Sequence, residues 1–235
     1  SSIAFAALDN IGANDPMGFG SRIACLTAPF ICLDGVNEKG VSIAVLTLDS
    51  EPTRQKTEGR PTIATSLVIR LVLDRADSTE AAVNLIRGYA MLASSGRDYH
   101  FFITDASGDS RVVEYDCDSP DRAMTVTRVE ATTNFYAMHE DRVLPHQRNG
   151  RYGHGRERYD SVMDVIERTR GSATPEDAWE ALRVSSQLPD PEDITSNTQW
   201  SIVYSNTDLA AEASIRLHWE DRFGCDLRTG DVSKL

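Results

Sequence analysis

Apolar and polar positions fall into blocks whose spacing changes along the chain. Apolar runs at Ser2 to Leu8, Arg22 to Leu33 and Val41 to Leu48 predict strands. Asp9 to Gly20, rich in Gly and carrying Pro16, reads as a loop. Asp34 to Gly40 reads as a tight turn between two strands, with Gly35 and Asn37 suited to left-handed backbone. After a polar connection at Glu51 to Arg60, Thr62 to Ala76 repeats apolar residues at three and four, the period of a helix. A second helix is predicted to start near Asp77, with Glu80 completing a pair like a capping box. The stretch "YHFFITDASGDSRVVEYD" predicts a hairpin turning at Ala106 to Asp109. Met124 to Val129 and Ala131 to Ala137 read as two more strands. Helices are predicted at Glu157 to Thr169 and Pro175 to Ser186, the second opened by Thr174 as N-cap, Pro175 and Asp177. Leu209 to Glu220 alternates strictly with period two and predicts one half-buried antiparallel strand.

Strands, a helix pair, strands, a helix pair and strands again predict a layered α+β fold rather than a doubly wound parallel sheet. The 235 residues are read as a single domain, with 40% hydrophobic and 26% charged residues, enough to build a core. A net charge of −12 argues against nucleic-acid binding. No apolar run is long enough to span a membrane. The start has no signal-peptide shape, which favours a cytoplasmic location without deciding the compartment. Cys25, Cys32, Cys117 and Cys225 show no metal or redox spacing, and His139, His146 and His154 are spread through a loop and read as surface residues. No Gly-rich phosphate loop is present, and no cofactor or metal is expected.

Three polar islands interrupt apolar surroundings: the turn Asp34 to Gly40, Asn134 in "ATTNFYAMHEDR", and Arg156 with Arg158 in "GHGRERYDSV". Each alone has an ordinary structural explanation. A turn needs such residues, a strand Asn can satisfy a neighbouring loop, and an Arg is often solvated.

Taken in order, "APFICLDGVNEKGVSIAVL", "RLVLDRADSTEAAVNLI", "YHFFITDASGDSRVVEYD", "TTNFYAMHEDR", "GRERYDSV" and "TQWSIVYS" resemble the choloylglycine hydrolase family of linear-amide C–N hydrolases, within the N-terminal-nucleophile hydrolases. The resemblance implies a four-layer α/β/β/α sandwich. It also implies amide hydrolysis by an N-terminal Cys whose own α-amine serves as base. The family's oxyanion donors map to the Asn134 side chain and, by spacing, the Thr47 backbone N–H. The family's arginine beside the nucleophile maps to Arg158, with Arg156 as the neighbouring alternative. The implied substrate is a small-molecule acyl amide with a bulky apolar acyl part: a conjugated bile acid, a penicillin V type compound or an N-acyl amino compound.

The resemblance stops short of the nucleophile. The first residue is Ser1, and Cys25 and Cys32 lie where the family has core, so both are expected to be buried and unreactive. The simplest account is that this chain lacks the N-terminal strand pair carrying the nucleophile. Ser1 as a substituted nucleophile is the lesser alternative. A non-catalytic ligand-binding relative and an acyltransferase stay open as other readings, as does a homo-oligomer.

Overall fold

In a computed structural model of the protein, the described residues are 32–93, 96–191 and 197–235. The strand expected at Ser2 to Leu8, most of that at Arg22 to Leu33, and Cys25 therefore lie outside them. In chain order the elements are β1 (Asp34–Val36), β2 (Ser42–Leu48), β3 (Thr62–Ala64), α1 (Thr65–Arg75), α2 (Thr79–Arg87), β4 (Ala90–Leu92), β5 (Asp98–Thr104), β6 (Ser110–Tyr115) and β7 (Met124–Arg128). A 3₁₀ segment (Ala137–Arg142), α3 (Arg156–Thr169), α4 (Pro175–Val184), β8 (Trp200–Ser205), β9 (Ala210–Ile215), β10 (Arg222–Asp226) and β11 (Val232–Lys234) follow.

The first sheet has the order β1-β2-β5-β6-β7, and every pair is antiparallel. Alternation along its strands decides which side chains meet the helices. Val41, Ile43, Phe101, Ile103, Val113 and Tyr115 point to one face and join Val68, Ile69, Val72, Ala82, Val83 and Ile86 of α1 and α2 in one core. The second sheet, β11-β10-β9-β8, is also antiparallel. Its helical cover is the α3–α4 pair, anchored by fully buried Trp179. Trp179 donates Nε1–H to Glu212 at 2.8 Å, and the Arg222 guanidinium lies 4.3 Å from its ring centre. The sheets are tied by Tyr204 Oη–H to Asp34 (2.6 Å) and Ser42 Oγ–H to Asn206 (2.9 Å). The layers therefore run helix, sheet, sheet, helix: α+β, with antiparallel sheets. Among the described residues β8 has no neighbour on its outer edge. A cavity of about 670 Å³ lies beside it, lined by Ala44, Leu46, Phe102, Val162, Ile166 and Leu182 among others.

Several sequence expectations are corrected. The helix read at Thr62 to Ala76 starts as a strand: β-branched Thr62 and Ile63 pair in parallel with β4. The second helix is capped by Ser78, whose Oγ accepts from Ala81 N–H, so Glu80 falls one place short of a capping box and pairs with Arg111. Asp34–Val36 is strand rather than turn, with Gly35 opposite Ile43. The positive φ of the turn falls on Gly40 (+73°). Asn37 works through its side chain: Nδ2 donates to the Leu73 and Ala76 carbonyls at the end of α1, and Oδ1 accepts from Lys39 and Val41 N–H. The alternating run Leu209 to Glu220 is two pieces. It breaks at Arg216 (φ +55°), where the chain turns back so that Trp219 packs against Trp179.

Candidate active site

The pleat of β2 fixes the direction of the Thr47 backbone. Val45 N–H bonds to Leu33 O, and Asn37 N–H bonds to Val41 O, so the odd residues of β2 address the β1 side. By the same alternation Thr47 N–H and C=O point off that edge, beyond Leu33. Asn134 fills this position. Its Nδ2 donates to Thr47 O at 3.0 Å, with Thr47 Oγ1 at 3.4 Å. A side-chain amide carries two N–H donors, and the Thr47 carbonyl takes one of them.

Asn134 does not lie in a strand, contrary to the reading of Ala131 to Ala137. Only one isolated bridge forms there, between Phe135 and Gly153. The segment is instead laced to the loop before α3. Tyr136 N–H bonds Tyr152 O (2.9 Å), His154 N–H bonds Asn134 O (2.9 Å), and Thr133 Oγ–H bonds Gly155 O (2.9 Å). On its other side, fully buried Glu114 accepts from Ala137 and Met138 N–H at 3.0 and 2.8 Å. Tyr136 donates Oη–H to buried Asp98 (2.6 Å) and lies 2.5 Å from Ser50 Oγ. Burial and the Asp98 carboxylate push the Tyr136 phenol well above its ordinary range.

Arg158 reaches the same point from α3. Its Nη2 donates to Asn134 Oδ1 at 2.9 Å. Among the described residues no carboxylate forms an ion pair with it, and desolvation holds its pKa below the usual guanidinium value. The first turn of a helix is also the wrong end for a cation, which Glu157 only partly offsets. Arg156, the alternative, faces away. It bonds Asp160 (2.7 Å) and Glu140 O (3.1 Å) and stacks over Tyr159. Thr47, Asn134 and Arg158 thus form one connected chain of hydrogen bonds, and Arg156 stands outside it.

Gly155 makes this approach possible. It caps α3 in left-handed backbone (φ +87°), and a Cβ there would meet Arg158 Nη2, Cζ and Nε. Gly155→Ala is expected to cost about 1–2 kcal/mol from the backbone alone and to push Arg158 off Asn134. Urea unfolding checks this, and a variant as stable as the parent would refute the packing described.

Neighbours of the site escaped the sequence reading. His154 Nδ1 lies 2.6 Å from Asp49 Oδ2, pinning the Gly153–Gly155 loop to the end of β2. The "GHG" triplet before the helix was the available signal for Gly155; nothing local marks Glu114, whose partners are 23 and 24 residues away. His139 is buried, not on the surface as expected. Cys32 is half-buried against the α1–α2 core, and burial pushes its thiol up.

Residues 10–132, more than half of the chain, match the family described as linear amide C-N hydrolases, choloylglycine hydrolase family. The chain belongs to this family. Among solved structures it is similar to penicillin V acylase from Agrobacterium tumefaciens, with TM-score 0.63 and 22% identity over 88% of this chain and 72% of that one. It is similar also to a variant of conjugated bile acid hydrolase from Clostridium perfringens, with TM-score 0.64 and 14% identity over 86% of this chain and 76% of that one. At these identities the likeness is one of fold. No curated protein sequence matches.

Proposed function

We propose that this chain is an amidase that cleaves linear amides through a thioester, with Asn134 and the Thr47 N–H as oxyanion donors and Arg158 as the residue that sets them. One observation carries the reading: a half-buried guanidinium, with no carboxylate partner among the described residues, is spent on the amide oxygen of Asn134. That bond turns the Asn134 NH2 toward Thr47, where an oxyanion would be held. A purely structural cation in this position would gain from an acid.

The nucleophile is a Cys thiolate at a processed N-terminus, outside the described residues. Cys32 packs on the far core, Cys117 sits in the β6–β7 turn and Cys225 in β10. The neutral α-amine takes the thiol proton, the resulting thiolate attacks the amide carbon, and the carbonyl electron pair moves to oxygen, where Asn134 Nδ2–H and Thr47 N–H donate. Collapse expels the amine, which takes its proton from the α-ammonium group. Water then cleaves the thioester. In this reading the Arg158 charge stands beside the nucleophile and eases loss of the thiol proton while keeping the α-amine neutral before attack, since a nearby positive charge lowers both pKa values. The substrate class is an N-acyl amide with a bulky apolar acyl group: a conjugated bile acid, a penicillin V type compound or an N-acyl amino compound.

The test is amine release from a panel of such amides by the full-length product, together with its N-terminal residue and intact mass. An N-terminal Cys and turnover abolished by thiol alkylation are expected. Ligand binding without turnover, on a product with no N-terminal Cys, would replace this reading by a non-catalytic binding protein. Arg158→Lys keeps the charge but loses the planar fork. It is expected to cut turnover roughly 10- to 100-fold, the worth of one charge-assisted hydrogen bond.

A further inference from the structure

The turn leaving β6 carries Asp116, Cys117 and Asp118, and the 3₁₀ segment lays buried His139 against it. His139 Nε2 lies 3.3 Å from Asp116 Oδ1 and 3.9 Å from Asp118 Oδ2. The ligand atoms of Asp116, Cys117 and His139 all fall within 4.8 Å of one another. A tetrahedral zinc ion with bonds of about 2.0–2.3 Å holds its ligand atoms roughly 3.3–3.8 Å apart. Side-chain movements of about 1 Å therefore close this set around an ion.

We propose that Asp116, Cys117 and His139 form a binding site for a borderline-soft divalent cation, Zn²⁺ by its donor set. An imidazole nitrogen, a thiolate and one carboxylate oxygen suit zinc; calcium and magnesium take oxygen alone. The fourth position falls to water or to Asp118. Arg142 Nη1 and Arg151 Nη2 lie 3.1 and 2.5 Å from the two oxygens of Asp118. Burial pushes the Cys117 thiol up, but Arg151 also reaches the Cys117 carbonyl at 3.4 Å, a positive charge that favours the thiolate. Tyr152 closes the other side of the imidazole, with ring centres 4.7 Å apart. The Cys117 thiol gives up its proton to solvent as the ion binds. The ion would cross-link the β6–β7 turn to the segment that follows Asn134, next to the Glu114 contacts at Ala137 and Met138. The site does not depend on the amidase reading.

The experiment uses the full chain, stripped with a chelator and titrated with ZnCl₂ by calorimetry. Parallel titration with CoCl₂ reads the thiolate-to-cobalt charge-transfer absorption. One equivalent of Zn²⁺, the cobalt band, and selective protection of Cys117 from alkylation by mass mapping are expected. Cys117→Ser should abolish the band, and His139→Gln should weaken zinc binding at least ~10-fold, the minimum loss expected even for an outer partner of a metal site. Cys225→Ser should change neither. No binding, protection of a thiol other than Cys117, or binding that survives both ligand variants would overturn the assignment. The mapping on the parent protein decides the matter even if a variant fails to fold.

Discussion

An Asn134→Ala variant is expected to turn over its amide roughly 100- to 1,000-fold more slowly than the parent, the loss typical of one oxyanion donor. Two things disappear together. The NH2 that faces Thr47 at 3.0 Å is lost, and so is the oxygen that accepts from Arg158 at 2.9 Å. The guanidinium then loses its acceptor on this side of the site, so Ala alone mixes catalysis with local disorder. Asn134→Asp separates them. The carboxylate is nearly isosteric and still accepts from Arg158, now as an ion pair, but it cannot donate and it sets a negative charge where the oxyanion would form. Turnover should therefore fall at least as far as in Asn134→Ala, and urea unfolding of the same variant measures separately the cost of facing the Thr47 carbonyl oxygen with a carboxylate instead of an N–H. Steady-state kinetics on both variants is the measurement. Near-parent turnover in Asn134→Asp would remove Asn134 from the donor role and leave Arg158 as a structural cation.

What could be read from the sequence followed how local the cause was. The α4 start was legible because Thr174, Pro175 and Asp177 interact within one turn, and the capping box forms as the spacing demands. The meeting of Asn134, Arg158 and Thr47 was legible only through the family resemblance. Their separations of 87 and 24 residues leave no periodic trace. The shape of the Asn134 segment was not legible. Its apolar flanks mimic a strand, but its backbone partners are the Tyr152–His154 loop and a buried carboxylate, not a neighbouring strand. The alternation from Leu209 to Glu220 misled for a related reason. Period two survives across the turn at Arg216, because Trp219 is buried by Trp179 rather than by the sheet face.

Glu114→Ala is expected to cost about 3–5 kcal/mol of stability, the loss seen when one partner of a buried, hydrogen-bonded polar set is deleted. Glu114 and His100 are both fully buried, and His100 Nδ1 lies 3.3 Å from Glu114 Oε1. The same carboxylate accepts the N–H groups of Ala137 and Met138, the first two residues of the 3₁₀ segment. Removing it takes the acceptor from two part-buried backbone donors and from a fully buried imidazole, and it leaves a cavity as well. Glu114→Gln keeps one oxygen but turns an NH2 toward the other backbone N–H, so a loss of about 1–3 kcal/mol is expected there. Ala137 lies only three residues past Asn134, and the ordering should reach the site: in Glu114→Gln, turnover should fall further than the population of folded protein explains. Urea unfolding of parent and variants, with unchanged slopes against denaturant, gives the stabilities. A Glu114→Ala protein within about 0.5 kcal/mol of the parent, the range of an unremarkable surface change, would mean that these N–H groups find other acceptors. Asn134 would then be held by the Tyr152–Gly155 loop, Arg158 and Thr47 without help from Glu114.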